Sequence, residues 1–326
     1  MAAVHVEDLV KTFETRVKDP EVRGIAAFFA PRKTEVVEAV RGISFAIETG
    51  ERVAFIGPNG AGKSTTLKML SGILHPTSGA ATVLGHTPWD DVRRMAHEIG
   101  IVFGQRTQLW PHLSVRSSYG LLAKVYDIDE AVFQRRLGQL TEIFQISHLL
   151  ERPARSLSLG QRMRAEIAAS LLHAPKVLFL DEPTIGLDVT AKALLRDHLK
   201  ALSEEDDLTL LLTSHDTGDI EEITERVILI NHGEKLIDQP VRDLRAQFMQ
   251  HKLISLVTEE VDPSLNHPGV EEISRGKHGL SLQVDLGETS VDQIIRTALE
   301  TLNVRDIAIE NAPLEDIIKQ IYSEAA

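Results

Sequence analysis

The sequence predicts an α/β fold built on a parallel sheet, followed by a smaller α+β domain. Three observations carry this. Short continuous apolar runs (ERVAFIG, KVLFL, LTLLLTS) recur with helical stretches between them, the pattern of strands buried on both faces of a sheet. A glycine-rich turn joins the first of these runs to a helix-like segment. After Val227–Ile230 the turn residues Asn231, His232 and Gly233 lead into a closing hairpin, and apolar–polar alternation follows. Because 326 residues exceed one ordinary core, we expect a large domain over 1–243 and a small one over 244–326.

In chain order, a first strand-like run ends at Phe13, and ERVAFI is followed by the helix-like STTLKML. An inserted helical segment is expected over roughly 106–155, where Phe133, Leu137, Leu140 and Phe144 recur at helical spacing and Asp127 with Glu130 reads as a capping box. In the small domain LISLVT and LSLQVD alternate as strands. A helix over Val291–Leu302, a strand over Val304–Ile309 and a last helix after Pro313 complete it.

Composition narrows the function. The 35 Lys and Arg against 48 Asp and Glu give a net charge of −13, which opposes binding to nucleic-acid phosphates. No cysteine is present, so neither disulfides nor thiolate metal sites form. The opening MAAVHVEDLVKTF lacks the basic and apolar segments of a secretory signal. The longest apolar stretches, Val177–Leu180 and Leu208–Leu212, fall short of the roughly 18 to 20 residues that cross a bilayer, so any membrane association is expected to be peripheral.

The chemistry begins at Gly57-Pro58-Asn59-Gly60-Ala61-Gly62-Lys63-Ser64-Thr65, a phosphate-binding loop between a strand and a helix. Its glycines let backbone N–H groups close around phosphate oxygens, Lys63 adds a mobile cation, and Ser64 offers a hydroxyl to Mg²⁺. The run Val177–Leu180 ends in Asp181 and Glu182, at the strand end where such sheets bind ligands. Asp181 is expected to hold the metal and Glu182 to polarise an attacking water.

Together with further motifs in order over about residues 4–240, these residues resemble the ABC ATPase family, with the P-loop NTPase core, antiparallel β subdomain and helical insert that the family implies. Leu157-Ser158-Leu159-Gly160-Gln161 is similar to the family signature, with Leu159 where a glycine is usual. The resemblance implies that Ser158, Gly160 and Gln161 reach the ATP of an opposite subunit in a head-to-tail homodimer. It further implies a Q-loop at Gln105 touching Mg²⁺ and the attacking water, a D-loop at Asp188 and a switch histidine at His215. Phe13 resembles the aromatic that stacks on adenine; a core position is its alternative.

The wording around QRTQLWPHLSV, SLSLGQ and TSHDTGDIEE is similar to ATPases of bacterial exporters of the second ABC type, drug and viologen exporters among them. This implies ATP hydrolysis with Mg²⁺, separate permease subunits and a place on the inner face of the cell membrane. An import ATPase with a C-terminal regulatory domain is the alternative, and a non-transport ABC ATPase a further one. Leu109, Trp110 and Leu113 are expected to line a groove for a permease helix, or else to pack inside the insert. The run Gly24–Phe29, with Arg32 and Lys33 after it, suggests a lipid or membrane-partner contact or a folded-back surface loop.

Overall fold

The computed structural model describes residues 2–17, 33–104, 106–205, 208–247, 251–311 and 314–324; the run Gly24–Phe29 with Arg32, and Gln105, lie outside them. The chain divides into two compact units, Met1–Gln239 and Pro240–Ala326, against the 243/244 division expected from sequence.

The first unit contains strands β1 (Ala2–Val17), β2 (Lys33–Glu48) and β3 (Arg52–Ile56), helix α1 (Lys63–Leu70), β4 (Ser78–Val83), α2 (Val92–Ala96), β5 (Ile99–Phe103), α3 (Val115–Val125), α4 (Glu130–Ile143), α5 (Leu159–Ser170), β6 (Val177–Asp181), α6 (Val189–Glu205), β7 (Thr209–Ser214), α7 (Thr217–Ile223), β8 (Arg226–Asn231) and β9 (Glu234–Pro240). Six strands form one sheet in the order β5-β6-β7-β3-β8-β9, and the pairs from β5 through to β8 are parallel. The β8–β9 turn places His232 and Gly233 at φ 47 and 82, the left-handed pair that a two-residue hairpin needs.

Alternate residues of the central strands serve two cores, which explains their unbroken apolar runs. Val177, Phe179 and Leu211 pack with α1 and with β1, β2 and β4, a separate antiparallel sheet in the order β2-β1-β4. Leu178, Leu180, Leu210 and Leu212 pack on the opposite face with α3, α4, α5 and α6. Phe133, Leu137, Leu140 and Phe144 are all buried there, as their spacing predicts. The expected cap is corrected: Asp129, not Asp127, accepts the N–H groups of Ala131 and Val132 at 2.9 and 3.3 Å. Asp127 sits at φ 51, outside the helix, so α4 starts two residues later than a capping box at Asp127 requires.

The second unit contains α8 (Val241–Gln247), β10 (His251–Thr258), β11 (Val270–Gly276), β12 (Gly279–Asp285), α9 (Val291–Thr301), β13 (Val304–Asn311) and α10 (Leu314–Glu324). Its strands form an antiparallel sheet, β11-β12-β10-β13, with Ile254, Leu256, Leu280, Leu282 and Val284 packed on Ile294 and Ala298 of α9. β11 escaped the sequence analysis because it is an edge strand carrying Glu271, Glu272 and Arg275, without the alternation of a covered strand. Among the described residues no helix is long and apolar enough to cross a membrane.

A half-buried imidazole, His173, contributes a pH dependence to the first unit. His173 stacks on Tyr126 at 4.0 Å, and its Nε2 lies 2.9 Å from the Ile99 carbonyl. Burial lowers its pKa from 6.5 to about 4. Below pH 6.5 the unfolded chain takes up a proton that the folded chain refuses until about pH 4, so stability falls as pH drops through this window. His173→Gln keeps an N–H for Ile99 and does not titrate. Melting curves at about pH 7 and about pH 4.5 should therefore show a smaller acid-induced drop for the variant than for wild type; equal drops would remove His173 as the cause.

Candidate functional site

The site is assembled at the carboxyl edge of the parallel strands. From β3 the chain turns through residues 57–62 into α1, whose N-cap Gly62 has φ 104. A Cβ at Gly62 would lie 2.5 Å from the Ala39 carbonyl oxygen, and one at Gly57 equally close to that of Ile230, so a side chain is excluded by space at both positions and by conformation as well at Gly62. Lys63 is 5% exposed. Its Nζ donates to the carbonyls of Gly57 and Pro58 at 2.7 and 3.3 Å and lies 3.5 Å from Glu182 Oε1. The cation thus folds back over its own loop, alongside the N–H groups of a helix start, an arrangement that attracts anions.

Asp181 ends β6. Its Oδ1 accepts hydrogen bonds from Ser64 Oγ at 2.9 Å and from Thr213 Oγ1, on neighbouring β7, at 2.7 Å. The Ser64 hydroxyl and Asp181 carboxylate are hard oxygen donors side by side, the set Mg²⁺ takes when phosphate oxygens and water complete its octahedron. Glu182 lies at φ 52, a left-handed conformation uncommon outside glycine, and its N–H is held by the Thr213 carbonyl and hydroxyl. That turn aims one carboxylate oxygen at Lys63 and the other at His215 Nδ1, 3.8 Å away. A cavity of about 460 Å³ opens here, lined by Ser64, Asp181, Glu182, Gly104 and Arg106 among others.

Behind His215 lies a network that sequence reasoning missed. Asp219 is fully buried and accepts from Thr184 Oγ1 at 2.5 Å, Ser214 Oγ at 2.6 Å and Arg196 Nε at 2.8 Å. Arg196 also reaches Asp216 and Glu222, and Lys192 pairs with Asp216. Burial alone lowers the Arg196 pKa; the hydrogen bond to Asp219 and the surrounding carboxylates outweigh it, and the net shift is upward. The network fastens both chain segments that flank His215 and Glu182 to α6. Ser214, Asp216, Asp219 and Glu222 fall within the segment 213–222, whose resemblance pointed only to His215, and their partners Thr184, Lys192 and Arg196 lie some 20 to 35 residues earlier, a pairing that no local spacing reveals.

A second exposed face is formed by residues 158–161 and 186–191, around a groove of about 670 Å³. Ser158 caps α5 with a full capping box: Gln161 N–H donates to its Oγ, and its own N–H donates to Gln161 Oε1. Leu159 is packed against the insert core, lies over Gly186 and also lines the groove. Gly160 is closely packed, since a Cβ there would meet the Ala191 Cβ at 3.0 Å. Asp188 Oδ1 accepts the Ala191 N–H at 2.8 Å, capping α6.

The remaining candidates separate. Phe13 is 39% exposed and therefore not a core residue; it pairs with Val37 across β1–β2, and Lys11 Nζ sits 5.2 Å from its ring centre. Trp110 and Leu113 are partly exposed, but Leu109 is 2% exposed within the core beside Val115 and Tyr119. Leu109 is thereby corrected from groove lining to core: the chain turns inward at that residue.

Residues 40–185 match the family described as ABC transporter, and residues 240–322 match that described as ATP-binding protein DrrA1-3-like, C-terminal domain. The ABC transporter ATP-binding protein NatA of Bacillus subtilis is 30% identical over 244 residues, 75% of this chain and 94% of the relative. The linearmycin resistance ATP-binding protein LnrL of the same species is 28% identical over 284 residues, 85% and 89% respectively. The maltose/maltodextrin import ATP-binding protein MalK of Salmonella typhimurium is 34% identical over 191 residues, 59% of this chain and 51% of the relative. Among solved structures, a dimeric ATP-binding cassette in a post-hydrolysis state bound to ADP and Pi superposes with a TM-score of 0.61 at 25% identity, covering 73% of this chain and 99% of the other.

Asp219→Ala leaves Arg196 partly buried without its innermost carboxylate and should cost about 3–5 kcal/mol of stability. Urea titration followed by circular dichroism measures this, and a loss under about 1 kcal/mol would mean that the network is incidental to the fold.

Proposed function

The chain belongs to the ABC transporter family of ATP-binding proteins, and on that premise we propose that it powers export of a substrate through separate permease subunits on the inner face of the cell membrane. It is an ATPase of the ABC type. The observation that carries the detailed reading is the convergence of Lys63, Ser64, Asp181, Glu182 and His215 at one sheet edge, with Lys63 and His215 each within 4 Å of the Glu182 carboxylate.

In this reading residues 57–65 cradle the phosphates of ATP, and Phe13 stacks on the adenine. Ser64 and Asp181, with Gln105, hold Mg²⁺, which when bound neutralises charge on the phosphate oxygens. Glu182 orients the attacking water and takes its proton as the new bond to the γ-phosphorus forms and the bond to the ADP oxygen breaks. His215 holds the γ-phosphate side of the site. Lys63 keeps its charge on the leaving phosphates throughout. Two copies close head to tail, so that Ser158, Gly160, Gln161 and Asp188 of one serve the ATP of the other. The exposed, Ser158-capped start of α5 supports this, because its free N–H groups favour an anion.

Export is favoured over import by the extent of the likenesses. The relative named for resistance aligns over most of both chains, whereas the relative named for import aligns over about half of its own length. We take residues 1–243 as the ATPase, with its helical insert at about 106–155, and 244–326 as an accessory domain. Trp110 and Leu113 are candidates to receive a permease helix, since each leaves over a third of its surface exposed.

Glu182→Gln should keep ATP affinity and lose about 10²- to 10⁴-fold in turnover. Lys63→Ala should weaken ATP binding itself; steady-state hydrolysis and fluorescent-nucleotide titration read the two effects, and an unchanged rate in Glu182→Gln rejects the base. Trp110→Ala with Leu113→Ala should leave basal hydrolysis intact and abolish copurification of permease chains from detergent-solubilised membranes. Retention of the permease with a lowered melting temperature would make both residues packing only.

A further inference from the structure

Helix α5, just after the insert, carries a buried carboxylate that hydrolysis does not use. Glu166, on α5, is 2% exposed. It accepts hydrogen bonds from the Thr107 hydroxyl and from the Gln108 N–H, the latter at 2.8 Å. The Thr107 hydroxyl in turn accepts the Leu109 N–H at 3.2 Å. Gln108 Nε2 donates to the Ile101 carbonyl at 2.7 Å, Leu109 is packed in the core, and Tyr119 donates to the Ala165 carbonyl at 2.8 Å. Burial pushes the Glu166 carboxyl above its ordinary range, although hydrogen bonds from Thr107 and Gln108 oppose this.

Packing alone gives no reason for an acid here, because an apolar side chain of similar volume avoids the desolvation cost. What the carboxylate adds is direction: it grips the hydroxyl and backbone of one short segment. That segment begins at Arg106, which lines the nucleotide cavity with Gly104, Ser64, Asp181 and Glu182. The helix that bears Glu166 begins at Ser158 on the exposed groove. Two surfaces therefore meet at a single side chain.

We propose that Glu166 is a positioning residue that makes segment 106–109 and helix α5 move as one body, so that nucleotide in a subunit's own site sets the posture of the signature it offers its partner. The inference rests on the nucleotide reading of the cavity. Glu166→Gln keeps the size and shape but turns an amide donor toward groups that are themselves donors. Thr107→Val removes the hydroxyl from the other side.

Hydrogen exchange of the full chain, with and without MgATP and at a dilution where light scattering gives monomer, tests it. In wild type, MgATP should slow exchange at 57–65, at 106–109 and at 158–162. Both variants should keep the response at 57–65, while that at 158–162 shrinks about fivefold or more, with melting temperatures close to wild type. A full response at 158–162 in Thr107→Val, or its absence in wild type while 57–65 responds, overturns the proposal. Should 57–65 itself not respond in wild type, the nucleotide reading fails and the coupling with it, an outcome distinct from the others. Thr107→Val decides the matter if Glu166→Gln does not fold.

Discussion

Parallel register is the constraint on which this site depends. β3, β6 and β7 lie side by side with Ile56 opposite Ser214 and Asp181 opposite Thr213, while Phe103 of β5 lies opposite Asp181. Every one of these strands therefore leaves the sheet at the same edge. Gly57, Glu182, His215 and Gly104 are each the next residue along their strands, and all arrive together. Parallel strands need crossover helices on both faces, and so the register also demands the two cores that bury it.

At that edge the chain adopts left-handed conformations, free of steric cost at a glycine and costly at Glu182, and neighbours hold them. Gly62 takes φ 104 beside Ala39, and Glu182 takes φ 52 with its N–H on Thr213. Such left-handed residues cost on the order of 1–3 kcal/mol outside glycine and persist only when surroundings over-determine them. For Glu182 the return is position: its two oxygens address Lys63 and His215. The Arg196–Asp219 network plays the corresponding part for His215, replacing the freedom of a loop with ion pairs to α6. In the proposed reading Glu182 polarises water, a task that is effective only when the geometry is set before the substrate arrives.

The second face follows a different physical rule. α5 begins in the open, its start closed by the reciprocal Ser158–Gln161 bonds, and Leu159 is accommodated because its side chain turns toward Gly186 and the insert core. The departure from a glycine signature is thus absorbed by packing. At the other end of the helix's first turns, Glu166 ties this face to the cavity wall. Local capping and one long-range carboxylate link two surfaces that no strand connects.

The sequence by itself determined the strand, glycine-rich turn and helix around residues 52–70, the Asp181–Glu182 pair at a strand end, the buried face of α4 and the change of pattern into the second unit, because each is written in short-range spacing. Residues at fixed offsets along one element meet whatever the rest of the chain does. Tertiary structure alone decided which long-range partners complete the site: Thr213 with Asp181, Asp219 with Arg196 and Thr184, Glu166 with Thr107. It also sent Leu109 inward while leaving Trp110 at the surface, moved the cap of α4 to Asp129, and recruited the charged segment Val270–Gly276 as an edge strand. Those outcomes depend on what lies across a sheet edge or a helix interface, tens of residues away, and no local pattern of charge or hydrophobicity encodes them.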